Sequence, residues 1–430
     1  MHTFAILRRT GIVSACAIAA LLTVGRANAD SIKPKPKITP AERAFNRGIA
    51  ALDRADWKQA EAAFQEVLKL DKNAAPAMLG LAKIASERGD RKATNAYLQQ
   101  AFAAAPDDPY VQRNWGKYQF TDGKAKDAEK ALRTAVQLDG SSAGARVDLG
   151  DLFLIAFKNP TDAVPFYKQA IALEPNHGGA HYALGVAYAL SGNDRDSVQE
   201  FSKAATLSPA NPLPYYQLGR VQLAKRRLPE ALDAFTKSST ISPLFALAWV
   251  GRGEVLLAKG DEQQAIAAFT TATKADPKSA VPQLELGMVY QRRKQLAEAE
   301  AAYRKAIQLD DRQVIAYNNL AWMCAERKTS LNEALAWGKK AVALAPQASE
   351  FQTTLGWVQR ARGEFAAATT TLTKATVMSP ERADAFYYLG VALLDQGKRA
   401  EGSAALKRAL SLDPNFGNAA DAQQRLKTLG

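Results

Sequence analysis

Histidine and cysteine are almost absent from this chain of 430 residues, which carries three of the first and two of the second. An internal disulfide framework is excluded, because Cys16 falls in an apolar leader and leaves Cys324 alone. With His2 also in that leader, any imidazole-based triad or metal centre is confined to His177 and His181. Their four-residue spacing is that of a helical metal pair, yet Gly178 and Gly179 intervene and no nearby cysteine or carboxylate completes a ligand set. Alternation of period two is also lacking, which argues against a sheet. Glycine-rich phosphate loops are missing: the Gly251-Arg252-Gly253 triplet follows no strand. Paired carboxylates, Asp107-Asp108 and Asp310-Asp311, stand in turn-like stretches where helix capping accounts for them better than acid-base work. The chain is therefore expected to be no enzyme, with no catalytic, cofactor-binding or metal-binding residues.

What the sequence has in abundance is one repeated pattern. A small residue recurs at Gly48, Ala82, Gly116, Gly150, Gly185, Gly219, Gly253, Gly287, Ala321, Gly356 and Gly390, spaced by 34 residues except for two intervals of 35. A fixed period in this range marks a solenoid, whose units cannot bury their apolar faces alone. About twelve residues after each marker comes a second small residue, such as Ala60, Ala163 or Ala265, and four further on a bulky one, such as Phe64, Tyr167, Phe201, Phe235, Phe269 or Tyr303. Offsets of three and four place these columns on one helical face. Proline closes most units, as at Pro106, Pro175, Pro209 and Pro243, because it cannot continue a helix. Each unit thus reads as two short helices, A and B, and glycine in helix A, about 1 kcal/mol worse than alanine for helix formation, marks close approach of a neighbour. His181 shares a column with Tyr215, Trp249 and Tyr317, so packing is its expected role. Cys324, in the column of Tyr188, Leu256 and Tyr290, reads as a packed, inert thiol.

These columns, with stretches such as AWVGRGEVLLAKGDEQQAIAAFTTATKADP, resemble the tetratricopeptide repeat, a 34-residue helix-turn-helix unit. The resemblance implies an all-α, right-handed α-solenoid superhelix of about eleven units, at 41–74, 75–108, 109–142, 143–177, 178–211, 212–245, 246–279, 280–313, 314–348, 349–382 and 383–416. Residues 417–430 are amphipathic and read as a capping helix. Lys72, Gly140 and Asp311 stand where proline is usual, and the fourth and ninth units carry one extra residue, near Lys158 and Thr329, expected in the turns between helices.

Residues 1–29 have a short basic start, an apolar run and Ala-Asn-Ala ending at Ala29, the pattern of a cleaved signal peptide, so a periplasmic location is expected. An uncleaved anchor, or lipidation at Cys16, is the alternative and would give peripheral membrane association. Residues 30–40 alternate lysine with proline and read as an extended linker. Loss of Arg8, Arg9 and Arg26 takes the formal charge from +13 to +10, an excess that favours an anionic partner, with nucleic acid excluded outside the cytoplasm.

With chemistry absent, the surface remains. In the resembled family the concave groove is lined by helix A, chiefly three residues before the marker, one after it, and four or five after it. Transferred to this sequence, those positions give Arg113, Lys117, Tyr182, Tyr216, Arg220, Arg292, Trp322, Trp357, Arg360 and Tyr387 as candidate groove-binding residues, with Leu154, Leu223 and Leu257 read as inter-repeat core. Aromatic and arginine side chains are the usual interface anchors. The expected function is a non-catalytic scaffold of the cell envelope that holds a protein or extended peptide partner, with an exopolysaccharide or envelope export system as the analogy; a membrane-tethered adaptor and a repeat arm of a glycosyltransferase are the alternatives. Oligomeric state is not legible.

Overall fold

The computed structural model describes residues 38–429. The signal peptide, Cys16 and most of the lysine-proline linker lie outside the described residues. Helices α1 (Pro40–Asp53) and α2 (Trp57–Leu70) form the first antiparallel pair. The order continues with α3 (Ala75–Glu87) and α4 (Arg91–Ala104), α5 (Pro109–Thr121) and α6 (Ala125–Leu138), α7 (Ala143–Asp151) and α8 (Pro160–Leu173), α9 (Gly178–Leu190) and α10 (Asp194–Leu207), α11 (Pro212–Ala224) and α12 (Leu228–Ile241). It ends with α13 (Ala246–Ala258) and α14 (Glu262–Ala275), α15 (Val281–Arg292) and α16 (Leu296–Leu309), α17 (Val314–Arg327) and α18 (Leu331–Leu344), α19 (Ser349–Ala361) and α20 (Phe365–Met378), α21 (Ala383–Asp395) and α22 (Arg399–Leu412), then the single helix α23 (Ala419–Leu429). No strand occurs among the described residues. The chain is an all-α repeat solenoid, and it divides into two compact units at Val221 and Gln222, inside α11.

Odd-numbered helices up to α21 are the A helices and even-numbered ones the B helices. Most pairs close by seating a bulky B side chain on the marker of their A helix. A Cβ added to Gly48 would stand 2.6 Å from the Phe64 ring, one on Gly150 2.5 Å from Tyr167, one on Gly185 2.7 Å from Phe201 and one on Gly287 2.5 Å from Tyr303. Phe64, Tyr167, Phe201 and Tyr303 are all fully buried. Packing of these rings therefore outweighs the helix-propensity penalty of glycine.

Short polar side chains start many of the helices, as their geometry requires. Thr39 and Glu42 form a reciprocal capping box at α1. Asp56, Asp90 and Asp261 each accept a backbone N–H at the first turn of a B helix, and Asp108 accepts those of Tyr110 and Val111 at α5. The turns between A and B need one residue in the left-handed region. Glycine supplies it at Gly89, Gly123, Gly192, Gly260, Gly363 and Gly397, while Ala55, Lys158, Arg226, Lys294 and Lys328 adopt it elsewhere.

The two longer repeats differ from each other. In the ninth, the extra residue lies in the A–B turn, where Ser330 takes a second left-handed conformation at φ 48°. In the fourth, the expectation of a longer turn is corrected. Lys158 keeps the usual turn conformation, and the extra residue is absorbed upstream in a π-helical stretch, Leu152–Ala156, that continues α7. A helix can take in one residue as a π-bulge without losing its bonding ladder, and this one lets Leu152 and Leu154 stay buried.

At the far end, α23 covers the last pair. Ala422 is fully buried and Ala419 nearly so, Phe416 packs with Tyr387 at 5.6 Å between ring centroids, and the Tyr387 hydroxyl donates to Asp421 at 2.7 Å.

Two outcomes follow from this packing. Gly185→Ala is expected to destabilise the chain by about 1–3 kcal/mol in a denaturant melt, because its methyl group would overpack against Phe201. A gain of about 1 kcal/mol, as propensity alone dictates, would contradict the packing account. Truncation after Phe416 should lower the melting temperature by exposing the apolar face of α21 and α22; an unchanged melt would show that α23 shields nothing.

Candidate functional site

The candidate groove residues belong to A helices, so their fate depends on what each A helix meets across the repeat boundary. In the first compact unit Arg113 and Lys117 face carboxylates, whereas Arg220 reaches a tyrosine hydroxyl. Arg113 on α5 donates from Nε to Asp148 on α7 at 2.5 Å, with both side chains largely shielded. One turn further along α7, Asp151 accepts a hydrogen bond from the Tyr167 hydroxyl at 2.8 Å. Burial pushes the Asp151 carboxyl up to about 7; the Tyr167 bond opposes this, the Asp148 charge adds to it, and Lys117 and Arg113 pull the other way. The π-helical stretch begins at the next residue. Arg113 is thus a locked part of the wall, and Lys117 is near enough for its charge to act on Asp151.

Tyr182 and Tyr216 follow on α9 and α11. Tyr182 is half-buried, its ring 5.8 Å from Phe201, and its hydroxyl accepts from Gln217 at 3.3 Å. Tyr216 is buried, and its hydroxyl accepts from Arg220 Nη1 at 3.3 Å. Little of the Tyr216 ring is left for a ligand.

The second compact unit brings its candidates together more tightly. Trp322 on α17 and Trp357 on α19 stack at 6.1 Å between centroids, and both rings contact Tyr388 on α21, at 5.2 and 4.7 Å. The Arg360 guanidinium lies 4.3 Å above the Trp357 ring, held there by an ion pair with Asp395 at 2.5 Å. Trp357 Nε1 donates to Glu326 at 2.5 Å. Both tryptophans are half-buried, so each indole offers part of a face and keeps the rest in the core. Tyr387 belongs to the cap contact instead, buried under Phe416 and Asp421. Arg292 ends α15, is more than half exposed, and pairs with Glu262 at the start of α14 at 2.6 Å. That contact with a preceding B helix assigns Arg292 to the edge formed by the A–B turns, where Arg293 likewise reaches Gln263.

The column two residues before the marker holds asparagine only at Asn46, Asn114 and Asn319, so it forms no continuous asparagine ladder. It is small in several repeats, at Gly80, Ala183 and Gly251, and departs to Asp148, Glu285 and Tyr388 where the polar and aromatic clusters form. That departure is the signal that could have found them. Glu285 on α15 is pushed up to about 7, first by burial and then by the charge of Glu254.

The remaining chemistry-bearing groups have structural partners. His177 Nδ1 accepts the Ala180 N–H and so caps α9. His181 is buried, with Nε2 donating to the Pro175 carbonyl at 3.0 Å and Nδ1 2.6 Å from Glu200. Cys324 is buried, and burial raises its thiol above the usual range. Among the described residues no helix is long and apolar enough to cross a membrane.

The tetratricopeptide repeat family model matches residues 45–109, 113–173, 154–212, 215–280, 284–349 and 353–427. The chain belongs to the tetratricopeptide repeat family. Membership implies a protein–protein interaction scaffold, a class that is typically non-catalytic. Cell division cycle protein 16 homolog of Homo sapiens is 25% identical over 185 residues, 40% of this chain and 30% of the relative. Cellulose synthase operon protein C of Komagataeibacter xylinus is 30% identical over 117 residues, 24% of this chain and 9% of that protein. This chain therefore spans less than a third of the length of these curated relatives. The crystal structure of the APC/C hetero-tetramer Cut9-Hcn1 aligns over 90% of this chain and 96% of its own, at 16% identity and a TM-score of 0.47.

The Asp151 environment sets a pH dependence. A carboxyl raised from 3.8 to about 7 binds its proton more tightly folded than unfolded, so its stabilising contribution is present below about pH 4 and lost as pH rises towards and past 7. Asp151→Asn should therefore gain stability relative to the parent between pH 5 and pH 8, read from paired thermal melts. A gap that shrinks over that window would contradict the burial of this carboxyl.

Proposed function

We propose that this chain is a non-catalytic adaptor of the cell envelope that holds an extended segment of a partner protein along its A helices, with Trp322, Trp357 and Arg360 as the principal anchor. The observation that carries this reading is the stacked indole pair. Two half-buried tryptophans from successive A helices, braced from behind by Tyr388, give a wide apolar surface at low ordering cost. Arg360, fixed over Trp357 by Asp395, adds a cation whose position is already set. Arg113, Lys117, Tyr182 and Arg220 make a second, more polar stretch in the first compact unit. Export rests on the signal-like residues 1–29. Similarity of one 117-residue stretch to cellulose synthase operon protein C supports an exopolysaccharide system as the setting.

Trp322→Ala combined with Trp357→Ala should abolish most partner recovery in crosslinking pull-downs from an envelope fraction, while circular dichroism retains the helical signal. Because both rings also pack on Tyr388, the double variant should melt earlier than the parent. Trp357→Phe keeps a ring in place and removes the bond to Glu326, so it separates the two effects: weaker capture with little change in melting is expected. Undiminished recovery by the double variant would reject these residues as anchors.

A further inference from the structure

The column one residue before the marker holds leucine in eight of the eleven repeats, the buried Leu184, Leu286 and Leu320 among them, and arginine in two, Arg47 and Arg252. In the first repeat the arginine has an acidic partner on helix B: Arg47 pairs with Glu66, eighteen residues after the marker Gly48, at 2.6 Å. In the seventh repeat the residue at that same place is Thr271, whose hydroxyl donates to the Ala267 carbonyl at 2.9 Å. Arg252 is left without an acid, and among the described residues it makes neither an ion pair nor a hydrogen bond. Its guanidinium instead lies 5.3 Å from the centre of the Trp249 ring, which is itself fixed by an Nε1 bond to the Pro243 carbonyl at 2.9 Å. An open cavity of about 200 Å³ borders both Arg252 and Thr271, lined by Trp249, Arg252 and Leu256 from α13 and by Gln264, Ala267 and Thr271 from α14. Gln264 and Ala267 are exposed, and Trp249 and Arg252 are half-buried, so the cavity is reached from solvent. Arg252 Nε is closed off without a partner, whereas its two Nη nitrogens reach solvent.

We propose that the cavity between α13 and α14 receives the carboxylate of an aspartate or glutamate side chain from a partner protein, paired with the Nη nitrogens of Arg252. The incoming group takes the part that Glu66 plays for Arg47, with its aliphatic stem against Leu256 and the Trp249 ring. A half-buried guanidinium that lacks an acid costs free energy, which a charge-assisted bond recovers, and its planar fork matches a carboxylate. Thr271 and Gln264 already donate within α14 and to Asp261, so Arg252 is the donor left to the ligand and the one charge in the lining. A single cation suits a singly charged carboxylate better than a doubly charged phosphate, and the positive excess of the chain acts in the same direction. The site uses none of the residues of the tryptophan anchor and adds a charge-selective contact to the adaptor reading.

The test is selection of a displayed library of random dodecapeptides on the mature chain, with synthetic copies of the enriched peptides then titrated against variants. Peptides carrying aspartate or glutamate should be enriched, and should bind Arg252→Leu about tenfold more weakly, the loss of one charge-assisted bond. Arg252→Lys keeps the charge without the planar fork and should retain part of that affinity. Leucine is the usual residue of this column, so Arg252→Leu should melt at or above the temperature of the parent, which separates lost binding from lost folding. Trp322→Ala combined with Trp357→Ala tests the anchor separately. Enrichment of no acidic peptide, or equal affinity of acidic peptides for parent and Arg252→Leu, overturns the carboxylate site; peptides weakened by the tryptophan variant alone do so while leaving the anchor standing. Dependence on Arg252 alone upholds the carboxylate site and counts against the anchor.

Discussion

The structure depends on one contact repeated along the chain: a bulky side chain from helix B pressed onto a residue of helix A that has little or no side chain. Where Phe64 meets Gly48, or Tyr303 meets Gly287, no room remains for even a methyl group. That closeness draws each pair of helices together, and every neighbouring pair must then cover what the first leaves exposed. The last pair has no such neighbour, which is why α23, with Ala422 fully buried, completes the stack.

Because the marker sets which side of helix A touches helix B, it also sets which residues of helix A are left outside that contact. Positions next to the marker vary without disturbing the lock. The chain uses that freedom differently in its two compact units: Arg113, Asp148 and Asp151 make a polar, internally paired wall in the first, and Trp322, Trp357 and Tyr388 an aromatic one in the second. Structural needs are met elsewhere, by capping aspartates and by turn residues in the left-handed region.

The fold was legible because its signal is periodic. Eleven occurrences of a small residue, most of them followed by the same bulky and small columns, fix helix pairs more firmly than any local propensity. The candidate site was legible only in part, because a column states where a side chain starts and not what it reaches. Arg113 and Arg292 read alike in sequence, yet one is locked against Asp148 and the other pairs with Glu262 at the turn edge. Tyr387 occupies a groove column, but its repeat is the last, and the cap buries it. The extra residue of the fourth repeat was countable; its absorption as a π-helical stretch ahead of Lys158 depends on keeping Leu152 and Leu154 buried, a tertiary demand that spacing does not display.

Hydrogen–deuterium exchange of the chain with and without a bound, library-selected peptide tests the central claim most directly. Capture along the A helices predicts added protection in α15, α17 and α19, with α16, α18 and α20 unchanged. Protection confined to the B helices or to the A–B turns would contradict it.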